Sequence, residues 1–157
     1  MEMMMVVAIL GVLISASAPL MYQTTNFWQL TSARYSIQRD VRTSLDMINR
    51  FTRQAQSATV IIDNISGQPP ASRIRYQYTN TAGNTVQMSF YQTGKKLYMS
   101  NNGSVSVLSS NLAYIAFTYP RTDDIGIISV AMTMQSPTYR GGKKALQLSI
   151  QKVRVMN

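Results

Sequence analysis

Side chains that usually perform acid–base catalysis or bind metals are scarce in this sequence. There is no His and no Cys among its 157 residues, which removes the commonest general base and the thiol nucleophile. Asp123 and Asp124 form the only adjacent pair of acids. Two carboxylates without other oxygen ligands nearby make a poor calcium site, and a solvated turn is the interpretation that we favour. We therefore predict no metal site and no cofactor.

Two short motifs have the composition of reactive sites but lack the residues that would complete them. Ser109 and Ser110 have no His to activate a hydroxyl as a nucleophile. The stretch 141–144, Gly-Gly-Lys-Lys, lacks the rest of a phosphate-binding loop. We predict that the protein is not an enzyme.

Positive charge is the chemical feature that remains. Fifteen Lys and Arg stand against six acids, which gives a net charge of +9, and no basic residue precedes Arg34. Such a charge attracts anionic lipid head groups, acidic proteins or nucleic acid. The charges are scattered rather than clustered in runs, so general solubility is the simpler interpretation.

Basic and aromatic residues are interleaved at two places, a composition that suits binding to nucleic acid. The first set lies in predicted strands that could share a sheet face, and consists of Arg73, Arg75, Tyr76, Tyr78, Lys95, Lys96 and Tyr98. The second set lies in a Gly-rich link and consists of Tyr139, Arg140, Lys143 and Lys144. The cations would neutralise phosphates while the tyrosines stack on bases. Tyrosines in strands more commonly pack in a core, so a purely structural role is the alternative.

The stretch 3–21 is the most apolar part of the chain, and it follows Glu2 directly. Its nineteen residues carry no charge and would nearly cross a hydrocarbon core of ~30 Å as a helix. A secretory signal peptide is one interpretation, because Ala16-Ser17-Ala18 fits a small-x-small cleavage site. Against it, a basic n-region is missing, and Pro19 would follow the cut.

Two further interpretations differ in what they make of Glu2. A plain membrane anchor explains the hydrophobicity, but it leaves a carboxylate at the lipid-facing end without a partner, which is costly. In an assembly helix, the same carboxylate finds a positive partner on a neighbouring copy.

The segment Glu-Met-Met-Met-Val-Val-Ala-Ile-Leu-Gly-Val-Leu-Ile resembles the N-terminus of type IV pilins and type II secretion pseudopilins. In that family a Glu near the mature N-terminus opens an apolar run, and a proline lies seventeen residues further on. Glu2 and Pro19 have this spacing, and Gly11 lies in a comparable interruption by a small residue. The resemblance is specific over residues 1–22.

The resemblance implies that Glu2 pairs with the N-terminal amine of a neighbouring subunit. The predicted assembly residues are therefore Glu2, Gly11 and Pro19. The implied partners are other pilin or pseudopilin subunits, the inner membrane, and the pilus or secretion assembly machinery. The head would lie in the periplasm before assembly and in a pilus or pseudopilus filament afterwards.

One feature departs from the family pattern. Family precursors carry a short basic leader ending in Gly, usually followed by Phe-Thr-Leu-x before the Glu, whereas only Met1 precedes Glu2 here. Prepilin-peptidase cleavage and N-methylation are therefore assigned to no residue. The absence of Cys also removes the disulfide-bounded loop of many major pilins, which favours a minor pilin or a pseudopilin.

The periodicity predicts one long helix and then short strands. An apolar stripe at steps of three, four or seven continues to about residue 58, and Pro19 should kink or loosen the helix. After it come about seven strands separated by Gly-, Asn- and Pro-containing turns. The predicted fold is α+β, with a hydrophobic transmembrane or assembly half in residues 1–28. Residues 29–157 would form a globular head, an antiparallel meander packed on the helix.

Short matches in this head weakly resemble J-type pseudopilins, among them Arg75-Tyr76, Lys96-Leu97-Tyr98 and the closing segment 153–157. The sequence thus predicts a structural subunit of a type IV pilus or a type II secretion pseudopilus. Two alternatives stay open, a minor pilin that binds DNA for uptake and a membrane-anchored envelope domain that binds a ligand without polymerising.

Overall fold

The computed structural model describes residues 2–138 and 144–156. Helix α1 spans Glu2–Thr52, about 77 Å at 1.5 Å per residue. Pro19 lies inside this helix without ending it. Its missing N–H leaves the carbonyl four residues earlier without an intrahelical donor.

The helix ends earlier than the predicted boundary near residue 58. After Thr52, Ala55 forms an isolated antiparallel bridge with Tyr78, and the Gln56 amide donates to the Gln77 carbonyl at 2.9 Å. The backbone here pairs with a strand instead of continuing the helix, and a short 3₁₀ turn follows at Ser57–Thr59. The apolar pattern alone did not reveal that pairing with this strand would compete with further helical hydrogen bonds.

Eight strands follow within the described residues, rather than about seven. Their bounds are β1 Ile61–Asp63, β2 Arg73–Thr79, β3 Thr85–Thr93, β4 Lys96–Asn101, β5 Ser104–Ser109, β6 Leu112–Thr118, β7 Ile127–Pro137 and β8 Lys144–Arg154. Positive φ angles at Gly83, Gly94 and Gly103 place these glycines in the tight turns that separate β2 to β5.

The strands form two antiparallel sheets, whereas the sequence suggested one meander. The first sheet has the order β1-β2-β3-β4-β5 and the second β6-β7-β8. The chain leaves the first sheet after Ser109, whose hydroxyl accepts a hydrogen bond from the Asn111 amide at 3.2 Å. Asn111 then accepts from the Gln135 amide of β7 at 2.8 Å, so β6 pairs with β7 and not with β5.

The second half of α1 packs on β7 and β8 and touches β5. Its inward face carries the predicted stripe, and the buried members are Ile37, Val41, Leu45 and Ile48. They join inward residues of both sheets, among them Phe90 and Phe117, in one core. The expected α+β fold, a long N-terminal helix on antiparallel sheets, is confirmed.

Candidate functional site

The first half of α1 is a shaft that the head does not cover. All side chains from Met3 to Thr25 are exposed, and the most apolar window has a mean hydropathy of 2.2 with none of it buried. The helix is long and apolar enough to span a membrane. Exposed apolar surface of this extent is unfavourable in water and indicates a lipid or protein environment.

Hydroxyl groups on the shaft donate hydrogen bonds to backbone carbonyls of the same helix. Ser15 and Ser17 donate to carbonyls three residues earlier at 2.8 Å, and Thr24 and Thr25 donate four residues back at 2.9 and 2.8 Å. Groups that already have partners can enter an apolar environment with little desolvation cost. This arrangement suits a helix that leaves water.

Gly11 and Pro19, two of the predicted assembly residues, lie on this shaft. A Cβ built on Gly11 would meet no atom within 4 Å, so nothing in the described chain requires a glycine there. Small residues are common where a second helix approaches closely in a membrane. Glu2, the third predicted residue, is the first residue of α1 and lies at the far end of the shaft from the head.

Aromatic side chains mark the boundary between shaft and head, a feature that sequence reasoning missed. Phe27 is 70% and Trp28 69% exposed, and Trp28 is the only tryptophan in the chain. Tyr22 lies just beyond the apolar run, and the first cation, Arg34, lies further along the helix. This order, apolar span then aromatic residues then cations, is that of a membrane–water interface. The composition of residues 22–34 was the available signal.

The proposed basic and aromatic face proved partly wrong. Tyr76 and Tyr78 point into the core and therefore lie on the opposite side of β2 from Arg73 and Arg75. Burial raises the pKa of the Tyr76 hydroxyl. These two tyrosines pack the sheet and are not available to stack on bases.

The outer face instead gains Tyr91, which the sequence did not single out. Arg73 pairs with Tyr91, and Tyr91 pairs with Tyr98 on the next strand. The two tyrosine rings stack on each other, with centroids 5.4 Å apart and planes 11° apart. Strand alternation places Lys96 on the same face as Tyr98, whereas Lys95 lies in the exposed turn before β4.

Asp63 holds both arginines of this face. Its carboxylate accepts from Arg73 Nε at 2.5 Å and from Arg73 Nη2 at 2.7 Å, and Arg75 Nη2 donates to it at 2.6 Å. These hydrogen bonds, chiefly those from Arg73, lower the pKa of Asp63 and raise that of Arg73. Both guanidinium groups thus share one carboxylate, which offsets part of the charge that they would present to phosphate.

The second predicted basic set lies largely outside the described residues. Tyr139, Arg140 and Lys143 fall in the gap at 139–143, and Lys144 is the first residue of β8.

The adjacent acids Asp123 and Asp124, in the loop before β7, do not converge on one site. Asp123 pairs with Arg121 at 2.9 Å, and Asp124 accepts from the Gly126 amide at 2.9 Å. Within residues 2–138 and 144–156, no three His, Cys, Asp or Glu side chains gather into a metal site. Each of these two carboxylates thus bonds to a neighbour in its own turn.

No family model matches the chain, and no curated protein or solved structure is significantly similar to it. The function is therefore inferred from three features: the exposed shaft, the hydrogen bonds of its hydroxyl groups to the helix backbone, and the charge of the head.

Proposed function

We propose that this protein is a subunit of a type IV pilus or a type II secretion pseudopilus. Before assembly, the first half of α1 anchors the subunit in the inner membrane, with the head in the periplasm. During assembly by the pilus or secretion machinery, the same half packs against equivalent helices of neighbouring subunits in the filament core. The head then lies on the filament surface.

The observation that carries the proposal is the uncovered apolar shaft on a head that already has its own core. The second half of α1 is buried at Ile37, Val41 and Ile48, whereas residues 3–25 are all exposed. A signal peptide would have no structural reason to continue as one helix into the core. A subunit that must be extracted from lipid and packed in protein needs a shaft of this kind.

Glu2 is the residue with a specific role in this proposal. At the tip of an apolar helix, an unpaired carboxylate is costly, and a positive partner on the next subunit relieves that cost. Such a pair selects the register of stacking more than it adds to net stability.

Replacing Glu2 with Ala tests this role. We expect filament incorporation to fall at least tenfold, because the register pair is lost, while the head keeps its circular dichroism spectrum and melting temperature. Incorporation is measured as the share of the chain in sheared filaments. The matched control is Asp46→Ala, which removes an exposed carboxylate from the head half of the same helix and should assemble normally. Equal incorporation of the Glu2 variant would refute the role.

A membrane-anchored envelope domain that does not polymerise is the second candidate. The aromatic boundary at Phe27 and Trp28 favours it as much as the first, since a permanent anchor needs the same interface. The two candidates separate on isolation, because a non-polymerising domain stays a dispersed monomer and never enters the sheared fraction.

A further inference from the structure

Within the described residues the two sheets have four edge strands, and two of them are long and are not held by other segments. Edge strand β1 has three residues and ends on Asp63. Edge strand β6 is held by other segments, since its Leu112 and Phe117 amides donate to the Lys95 and Ala71 carbonyls. The remaining edges belong to β5 and β8.

In the first half of strand β8, the apolar side chains point to solvent and the polar ones point toward the core. Leu146, Leu148 and Ile150 are 67%, 64% and 64% exposed. They alternate with Gln147, Ser149 and Gln151, which face the helix side and are half-buried. The alternation of exposure continues through Lys152 and Val153, but there the exposed position carries a cation and the buried position an apolar side chain. The first half of β8 thus presents an aliphatic row outward.

Strand β5 has a matching open edge. Residues 104–107 are exposed on both faces, and Val105 and Val107 point outward at 54% and 52% exposure. The strand Ser-Val-Ser-Val-Leu-Ser carries no charge, and neither does the stretch 145–151 of β8. Soluble proteins usually protect open edges with charges, prolines or bulges. Neither of these two stretches has a charge or a proline, and the one bulge in the β4–β5 pairing lies at Leu108, beyond residues 104–107.

A lipid surface does not fit the face of β8. The strand begins beside Arg34 and Ile37, with which Leu146 lines a groove, and Met156, just beyond its end, donates to the Arg53 carbonyl at 3.1 Å. The strand therefore runs along the helix. A membrane crossed by the shaft lies across that direction and cannot cover the length of the strand.

We propose that the open edge of β5 pairs with the open edge of β8 in a second copy of this chain. The pairing sets Val105 and Val107 beside Leu146, Leu148 and Ile150 on one continuous outer face, and satisfies the unpaired backbone groups of both strands. Because the two edges differ, the contact is head-to-tail and can repeat without closing. This inference rests on the proposed function, since it describes how adjacent heads meet in the filament.

Cysteine crosslinking of the full-length chain tests the contact, because the native sequence contains no Cys. The double variant Val107→Cys/Leu148→Cys, oxidised in membranes, should give a ladder of covalent oligomers. We expect at least tenfold more product than in either single variant, and a mixture of the two single variants should stop at dimers. The control double variant Ile61→Cys/Leu148→Cys uses an equally exposed residue on the short edge strand β1 and should give none.

A charge exchange provides a second measurement. Val107→Lys alone and Leu148→Glu alone should each disperse the oligomers in sedimentation, whereas the two together should restore them through a new ion pair. A strong dimer in the Leu148→Cys single variant, product only with a different protein, a control ladder of equal strength, or no product would each overturn the contact.

The outcome is separable from that of the proposed function. Filaments of native chain without the crosslink between positions 107 and 148 would reject this contact alone. The crosslink in a chain that never enters the sheared filament fraction would reject the filament and keep the contact.

Discussion

At the scale of single residues, Asp63 shows how one carboxylate reduces the net positive charge of a surface that looks strongly basic in the sequence. Arg73 and Arg75 stand out in the sequence as cations near tyrosines, yet both donate to Asp63. The three groups lie on adjacent strands, with Asp63 directly opposite Arg73. Only the register of β1 against β2 reveals this cluster, and a three-residue strand gives little sequence signal for its register.

Replacing Asp63 with Asn should destabilise the head by about 1 kcal/mol at pH 7, the upper range for partly exposed ion pairs. Because the folded-state pKa of Asp63 is lowered, its contribution is present above the ordinary carboxylate pKa and is lost as the pH falls through the folded value. Thermal unfolding at pH 7 and in strong acid measures this effect.

The control for this variant is Asp123→Asn, whose ion pair with Arg121 is largely exposed and should contribute little. A stability difference between native and Asp63→Asn chains that persists unchanged in strong acid would contradict the assigned cause.

At the scale of elements, α1 combines two environments in one continuous helix. Its apolar residues point in all directions before Met21 and along one stripe after Ala33. The aromatic residues Phe27 and Trp28 lie between these parts. Trp28 is about 10 Å beyond Met21 along the helix axis, which places it in the head-group layer when residues 3–21 fill the hydrocarbon.

Fluorescence of the single tryptophan tests this depth directly. In vesicles, a quencher attached to lipid head groups should reduce Trp28 emission at least twofold more than a quencher at the end of the acyl chains. The matched control is Trp28→Phe/Tyr35→Trp, which moves the indole seven residues toward the head at a site of similar exposure. Quenching that is equal at both positions would place the interface elsewhere.

The strand boundaries were predictable to a large extent, and the arrangement of the strands was not. Turns such as Asn101-Asn102-Gly103 have clear signals, because Asn102 and Gly103 both adopt positive φ. The division into two sheets depends on hydrogen bonds of Asn111 and Gln92 with distant backbone groups. Such contacts leave no periodic signal in the sequence.

The candidate site was predicted in part for a similar reason. The shaft was evident from hydropathy, since nineteen uncharged residues need no tertiary information. The outward row of β8 was not, because a strand with alternating Leu and Gln gives the same pattern whichever face is buried. Only the placement of the helix shows that the Gln side faces inward.

At the scale of the whole molecule, charge is segregated from hydrophobicity. All fifteen cations and five of the six acids lie from Arg34 onward, so the head is strongly basic while the shaft is neutral apart from Glu2. A head of this charge attracts polyanions in general. Two of its cations are bound to Asp63.

We therefore expect the full-length chain in detergent to bind duplex DNA only in the non-specific range, with a dissociation constant of about 1 μM or weaker at physiological salt. Freeing the arginines with Asp63→Asn should tighten binding several-fold and steepen its decline with salt. Fluorescence anisotropy in a salt titration measures both. Tight binding by the native chain, unchanged by Asp63→Asn or by Lys96→Ala, would indicate a different nucleic-acid surface.

The uninterrupted course of α1 from Glu2 to Thr52 couples the orientation of the head to that of the shaft. Each residue of an α-helix advances the direction of its side chains by about 100°. One residue inserted between Thr25 and Leu30 would therefore turn the whole head by that angle relative to Glu2, with every contact inside the head left intact. In a filament of the proposed kind, the number of residues in α1 between Glu2 and the head would therefore help to set the azimuth of each head.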